Sequence, residues 1–281
     1  MISYIDADFI ETTKAALPVA SDVTGTFRGY RIFTACHTVR GQILGRDWHI
    51  ERLYHSARSI FMADPVSRPE LEAILDDLIQ KNAGDHELLL QIIFSGGEAD
   101  STGVNPVGNS KLYIIVNALK PLTEAAYQTG VRLATYPHQR PIPTLKPMNY
   151  LGAIIAHQTV VKEHNATYPL FVSPEAPHLI LEGSTYSFFG VKNNTLLTPP
   201  LDGHILDGIT RRFVLEVAQK QGVPVLETKI PKADILTFDE AFLTSSTRGI
   251  LAVTKIDTHT LTEGEGALTH QLRKGYQSTY L

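Results

Sequence analysis

Residues 88–95 read Leu-Leu-Leu-Gln-Ile-Ile-Phe-Ser, a nearly continuous apolar run. No other feature of the sequence narrows the fold as much. The run is far short of the roughly 20 apolar residues that cross a membrane as a helix, and it is typical of a β-strand covered on both faces. The chain must therefore supply covering layers. Residues 26–34 and 111–117 read as further strands. Residues 48–62 place Ile50, Leu53, Tyr54, Ala57, Ile60 and Phe61 at three- and four-residue spacings, and 69–81 repeat the pattern, so both segments are predicted as amphipathic helices. Strands, helices, then strands imply an α+β fold.

Residues 118–122 (Ala-Leu-Lys-Pro-Leu) hold a proline between strand-like runs and are predicted to start a linker. The expected organisation is a small α+β domain over 1–117, a linker over 118–124 and a larger domain over 125–281. In the second half, 131–135 reads as a strand. Pro137, Pro141, Pro143 and Pro147 then exclude regular helix until about 149. A helix over 149–164 follows, with strands at 170–172, 179–181, 187–191 and 195–198. A helix over 207–221 precedes strands at 225–230 and 240–244. No repeat or low-complexity tract interrupts this order.

Composition bounds the function. Of 281 residues 43% are hydrophobic, enough for a large core and against intrinsic disorder, and the net charge of −4 leaves no basic excess for a phosphate backbone. Nucleic acid is not an expected partner. The lone Cys36 cannot form an internal disulfide, and the first residues lack the basic start and apolar run of a signal peptide. A cytoplasmic, membrane-free location is the expectation. The eleven histidines show no metal-ligand spacing, and neither dinucleotide nor nucleoside-triphosphate fingerprints occur.

Several local features can carry chemistry. Leu206-Asp207-Gly208-Ile209-Thr210-Arg211-Arg212 runs into a helix, whose first N–H groups and dipole favour an anion; an ordinary helix cap is the alternative. Thr244-Ser245-Ser246-Thr247-Arg248-Gly249 offers hydroxyls, a cation and a glycine after a strand, a second cradle for phosphate or carboxylate, or else a polar turn. Arg52 can clamp a phosphate in bidentate fashion or be merely solvated. Lys146, among apolar residues and prolines, is a candidate amine for Schiff-base chemistry if desolvated, although most lysines are surface lysines. Glu182 ends an apolar strand, where its carboxylate needs a partner. A protonated pyridine nitrogen or a buried salt bridge would each serve.

The order and spacing of these features resemble the class IV (fold type IV) pyridoxal-phosphate-dependent aminotransferases, a family that includes D-amino-acid and branched-chain aminotransferases and aminodeoxychorismate lyase. The resemblance rests on Gly25-Thr26-Phe27 with Gly29-Tyr30-Arg31, and on His49-Ile50-Glu51-Arg52-Leu53 with Ser56-Ala57. It continues through Lys146-Pro147-Met148-Asn149-Tyr150-Leu151, Glu182-Gly183-Ser184, Thr198-Pro199-Pro200, residues 206–211 and residues 239–247. It implies a homodimer of two-domain subunits, with pyridoxal 5'-phosphate between the domains and the partner subunit completing the substrate pocket. By the same resemblance Lys146 holds the cofactor covalently and moves the catalytic proton. Glu182 meets the pyridine nitrogen. Arg52, the backbone of Ile209 and Thr210, and Ser246 and Thr247 form the phosphate cup. Tyr150 matches a tyrosine that donates to the cofactor's phenolic oxygen in the branched-chain branch, with a lysine-to-tyrosine spacing one residue shorter, as in the D-amino-acid branch.

Departures from the family bear on substrate. The tyrosine and arginine of the branched-chain branch are missing from residues 89–94, and Ser95-Gly96-Gly97-Glu98 lacks the arginine and histidine that trap the carboxylate in the D-amino-acid branch. Arg28, beside Phe27 on the expected pocket-lining strand, or Arg248 is expected to bind the substrate carboxylate instead; Arg28 pointing to solvent or pairing with an acid such as Glu98 is the alternative. The resulting expectation is a D-amino-acid aminotransferase of the D-alanine/D-glutamate type, with 2-oxoglutarate or pyruvate as acceptor. A branched-chain L-aminotransferase is the runner-up, followed by aminodeoxychorismate lyase and a noncatalytic cofactor-binding protein.

Overall fold

A computed structural model describes all residues, Met1–Leu281. The chain divides into two compact units, one of Met1–Lys120 with Leu145–Asn149, the other of Pro121–Thr144 with Tyr150–Leu281.

In the first unit the apolar run becomes the strand Leu88–Ser95, flanked on both sides in an antiparallel sheet ordered Asp8–Glu11, Ile2–Ile5, Lys111–Ala118, Leu88–Ser95, Arg31–Val39, Gln42–Ile43. Alternation sends Leu88, Leu90, Ile92 and Phe94 into one core with Leu53 and Ala57 of the helix Arg46–Ser59 and Leu71, Leu75 and Leu78 of the helix Arg68–Lys81. Each such side chain contributes about 1.5–3 kcal/mol by leaving water. Ser67 and Glu70 close a reciprocal capping box at the start of the second helix.

The expected strand over 26–34 is corrected here: Val23–Arg28 is helical and the strand begins at Arg31. The buried Asp22 carboxylate accepts from Ser95 Oγ (2.7 Å), the Gly97 N–H (3.0 Å) and Arg31 Nη2 (2.6 Å), which ties down the start of this segment. Gly25 then passes so close to Ser95 that a Cβ would lie 1.9 Å from its hydroxyl, and Gly29, at φ +69°, turns the chain out of the helix. Tertiary anchoring overrides the β-propensity of Thr26 and Phe27. Phe27 and Arg28 therefore stand at a helix end rather than on a strand.

A second difference concerns residues 145–149, expected in the larger domain but belonging with the first unit. The hairpin partner Gln42–Ile43 covers only Thr38 and Val39 of the long strand, which leaves the edge of its first residues available. The Leu145–Asn149 segment takes that edge: Phe33 N–H donates to Lys146 O, Met148 N–H to Arg31 O, both at 3.0 Å, and Ile32 pairs with Pro147.

The second unit holds a mixed sheet whose path runs Val225–Glu227, Thr195–Thr198, Ser187–Lys192, Glu240–Ser245, Gly249–Ile256, Val131–Pro137, Tyr168–Val172, Leu179–Gly183, Ile230–Pro231. The expected strand over 225–230 is two strands because Val225–Glu227 pairs with Thr195–Thr198 whereas Ile230–Pro231 pairs with Leu179–Gly183. The expected helix over 149–164 is also divided, into Leu151–Gln158 and Val160–Glu163. Thr159 breaks it: its hydroxyl donates back to Ile155 O at 2.8 Å and its backbone leaves helical geometry. The helix Ile209–Lys220 forms as expected at its core and meets a C-terminal helix, Ala267–Tyr280, through Phe213, Tyr276 and Tyr280.

Candidate active site

In the first unit, the main-chain bonds to Arg31 and Phe33 fix the backbone around Lys146, and its Nζ lies 4.7 Å from the centre of the Phe33 ring. The amine is half-buried over an aromatic face. Arg52, from the helix Arg46–Ser59, donates from Nη2 to Thr34 Oγ1 at 3.1 Å, and the same hydroxyl lies 2.7 Å from His49 Nδ1. Burial, then the nearby cations Arg52 and Lys146, hold the His49 imidazole well below its usual range. Arg28 is exposed and donates to the carbonyls of Gly103 (2.9 Å) and Phe27 (3.2 Å) rather than to Glu98. Phe27 is 61% exposed. Cys36 is fully buried and its thiol is pushed up to about 12, so it is no nucleophile.

In the second unit, Glu182 is 6% exposed near the end of the strand Leu179–Gly183. Its Oε1 accepts from Arg140 Nε (2.9 Å) and Nη2 (2.5 Å), and its Oε2 accepts from the Leu206 N–H at 3.2 Å. The buried acid thus has a guanidinium on one oxygen and a main-chain donor on the other. Leu206 leads within three residues to the helix Ile209–Lys220, and no side chain caps that helix. Asp207, which could have, is drawn into an ion pair with Arg212 at 2.6 Å. Gly208 lies so close to the strand Ser187–Lys192 that a Cβ would come within 2.5 Å of Ser187 Oγ.

Ser187 is the cross-strand partner of Thr244, so both side chains face the same way. Thr244 is 2% exposed and its hydroxyl finds no partner in the protein. Such an orphaned group is costly unless a ligand satisfies it. The turn that follows brings Ser246, Thr247 and Arg248 between the paired strands, with the Arg248 guanidinium 5.1 Å above the Tyr168 ring. The glycine-lined helix start, the orphaned hydroxyl and this turn suit an anionic group such as a phosphate ester. Tyr150 stands at the start of the helix Leu151–Gln158 and packs with Ala153, Ala156, Phe171, Leu181 and Ile205.

Within the second unit, contacts run from Glu182 to Leu206, on to Gly208, then through Ser187 to Thr244 and the turn at Ser246 and Thr247. Within the first, Lys146 and Arg52 flank His49. Sequence reasoning missed Arg140, Ser187 and the Thr34–His49 pair. Only Arg140 left a usable signal, because an acid ending an apolar strand requires a cation and Arg140 is nearby in sequence to the candidate amine.

The fold is that of the fold type IV enzymes. An aminotransferase from Brucella abortus bound to the co-factor PLP matches with a TM-score of 0.87 over 99% of this chain and 98% of that one, at 22% identity. That likeness concerns the fold alone. The family follows from the sequence: residues 31–256 match Amino-transferase class IV, and the chain belongs to that family. It is 27% identical, over 98% of its length and 94% of the relative's, to a putative branched-chain-amino-acid aminotransferase of Methanocaldococcus jannaschii. It is also 29% identical, over 88% of its length and 87% of the relative's, to a D-alanine aminotransferase of Listeria monocytogenes serotype 4b.

Proposed function

We propose that this chain is a pyridoxal 5'-phosphate-dependent aminotransferase acting on D-amino acids of the D-alanine/D-glutamate type, with 2-oxoglutarate or pyruvate as acceptor. The observation that carries the cofactor reading is the second unit's pairing of a buried, cation-held Glu182 with the uncapped, glycine-lined helix start that follows Leu206. When bound, the cofactor supplies an electron-accepting ring conjugated to the substrate's Cα.

The protein's own residues do the rest. Lys146 Nζ holds the cofactor covalently and then accepts and returns the proton of the substrate Cα, and the Phe33 ring beneath it keeps water from one side. Glu182, whose Oε2 also accepts from the Leu206 N–H, receives the hydrogen bond of the protonated ring nitrogen. Arg140 keeps that carboxyl ionised while it does so. Arg52, the N–H groups of Ile209 and Thr210, and the hydroxyls of Thr244, Ser246 and Thr247 bind the phosphate, and Tyr150 donates to the phenolic oxygen.

The substrate α-carboxylate is assigned to Arg28 or Arg248, with Phe27 lining the pocket. Support for the D-amino-acid reading comes from the sheet: the face that carries Phe33 presents Gln91 and Ile93 from the strand Leu88–Ser95, where the branched-chain branch has its tyrosine and arginine. The second reading, a branched-chain L-aminotransferase, is favoured by the near full-length relative from Methanocaldococcus. A homodimer in the cytoplasm belongs to the same proposal. The helix Leu151–Gln158 exposes Leu151, Ile154 and Ile155 on one side, an apolar surface that a partner subunit would cover, and no helix is long and apolar enough to cross a membrane.

Half-reactions test the substrate. The holoenzyme is mixed with D-alanine, D-glutamate or L-leucine and the cofactor's visible band is followed. Bleaching by the D-amino acids is expected; bleaching by L-leucine alone would replace the first reading with the second.

A further inference from the structure

Thr34 departs from the pattern of its own strand. The face of Arg31–Val39 that meets the helices carries Ile32 and Cys36 in the apolar core, and Thr34 lies between them with 0% exposure. A buried hydroxyl at that position must be satisfied. Arg52 Nη2 donates to it at 3.1 Å, and His49 Nδ1 lies 2.7 Å away. An arginine can only donate, so Thr34 Oγ1 accepts from Arg52, and its own proton is free to donate to His49 Nδ1. In that direction the imidazole is neutral, with Nδ1 bare and the proton on Nε2.

The surroundings agree with this reading. His49 is 2% exposed, and the charged groups acting on it are Arg52, Lys146 and His37, all of which oppose a further positive charge. His49 and Arg52 are three residues apart on one helix and so share a face. The threonine hydroxyl, polarised by its own bond to the imidazole, is a better acceptor for the guanidinium than an isolated hydroxyl would be. Arg52 is half-buried, so one of its terminal nitrogens is anchored inside while the group reaches outward.

We propose that Thr34 and His49 are positioning residues that orient the Arg52 guanidinium for the phosphate of the cofactor. The proposal rests on the reading that Arg52 binds that phosphate. Without the pair the arginine would keep its charge but lose its aim, and rotamer freedom would be restricted only on binding. An apolar side chain at 34 would fill the core equally well, so fold stability alone gives no reason for the polar trio.

The test separates the phosphate from the rest of the cofactor. Cofactor-stripped protein is titrated with pyridoxal 5'-phosphate and with pyridoxal, and the ratio of the two Kd values is compared among wild type, Thr34→Val, Thr34→Ser, Arg52→Ala and the Thr34→Val/Arg52→Ala double variant. Thr34→Val is expected to weaken pyridoxal 5'-phosphate about tenfold, the value of one hydrogen bond to a charged group, and to leave pyridoxal within about twofold. Thr34→Ser should restore the ratio, and Thr34→Val should have no further effect once Arg52 is alanine.

If Thr34→Val weakens both probes equally, or neither, while Arg52→Ala raises the Kd for pyridoxal 5'-phosphate relative to that for pyridoxal, the positioning role is refuted and the phosphate reading of Arg52 stands. If Arg52→Ala leaves the ratio unchanged, the phosphate reading itself fails and the proposal with it. Nitrogen-15 shifts of His49 in the unmutated protein need no variant to fold. A neutral ring protonated on Nε2 is expected at neutral pH, and a charged ring or a proton on Nδ1 overturns the proposal.

Discussion

Arg52 in the first unit and the start of the helix Ile209–Lys220 in the second are both donors suited to an anion, yet they are built from different parts of the chain. Arg52 is a side chain whose direction depends on two other side chains, Thr34 and His49. The helix start is main chain, kept open by the lack of a Cβ at Gly208 and by the diversion of Asp207 to Arg212. The candidate amine and the acid differ in the reverse sense. Backbone hydrogen bonds position the segment around Lys146, whereas a salt bridge holds Glu182. Each unit therefore combines one element fixed by backbone with one fixed by side chains. Substitutions should damage the side-chain-fixed elements through their neighbours and the backbone-fixed ones through geometry.

The largest effect is expected at Lys146. Because its segment is secured by main-chain bonds that ignore the side chain, Lys146→Ala should fold normally and lose at least about 10³-fold in turnover, the combined loss of covalent and proton-transfer catalysis. Unchanged thermal unfolding with collapsed steady-state activity would support the backbone-fixed description, and retained activity would refute the assignment of the amine.

Arg140→Ala is the counterpart in the second unit. It leaves Glu182 buried without its cation and should cost about 3–5 kcal/mol in urea unfolding. Adding Glu182→Gln should recover much of that stability while leaving activity low. An Arg140→Ala protein as stable as wild type would mean that charge does not hold this acid.

A pH dependence follows from His49. Its folded-state value is depressed below the ordinary 6.5, so in acid the unfolded chain takes up the proton first. Stability is then full above about pH 6.5 and falls as the pH drops, by at most about 1.4 kcal/mol per pH unit from this group. His138 and His157 are depressed too, by burial foremost, and add to the slope. The carboxylates held low, among them Glu87 and Glu265, lose their contribution only below about 4.5. Unfolding measured between these limits should flatten in His49→Asn; an unaltered slope would show that the buried imidazole is not the titrating group.

The smallest effect distinguishes the orphaned hydroxyl. Thr244→Val keeps the shape and removes a buried group with no protein partner, so cofactor-free protein should gain about 1 kcal/mol in thermal or urea unfolding. Affinity for pyridoxal 5'-phosphate should fall a few-fold in the same variant. A loss of both stability and affinity would mean that Thr244 has an ordinary structural role.

Much of this was legible in the sequence where local pattern and tertiary role agree. The run at 88–95 is a strand, as expected, paired on both edges with Leu88, Leu90, Ile92 and Phe94 in the core, although Leu89 and Gln91 on its other face are only half-buried. The helix start after Leu206 announced itself through a glycine before an apolar-periodic stretch, and Glu182 through the cost of a carboxylate at the end of an apolar strand. What escaped depends on partners distant in sequence. Nothing in Thr26 and Phe27 signals that Asp22 will be held by Ser95 and Gly97, seventy-odd residues later. Residues 145–149 gave no sign of their allegiance, because proline-rich extended chain can serve any sheet edge that lacks a neighbour. Thr34 looked like ordinary strand composition until its burial and its two partners were known.

Residues 145–149 also limit how this protein can be re-engineered. A fragment cut at Lys120 would leave the edge of Arg31–Val39 bare and prone to pairing with other chains, and it would lack the candidate amine altogether. Chimeras with relatives need three junctions rather than one, since five residues donated by the later part of the polypeptide complete the earlier part's sheet.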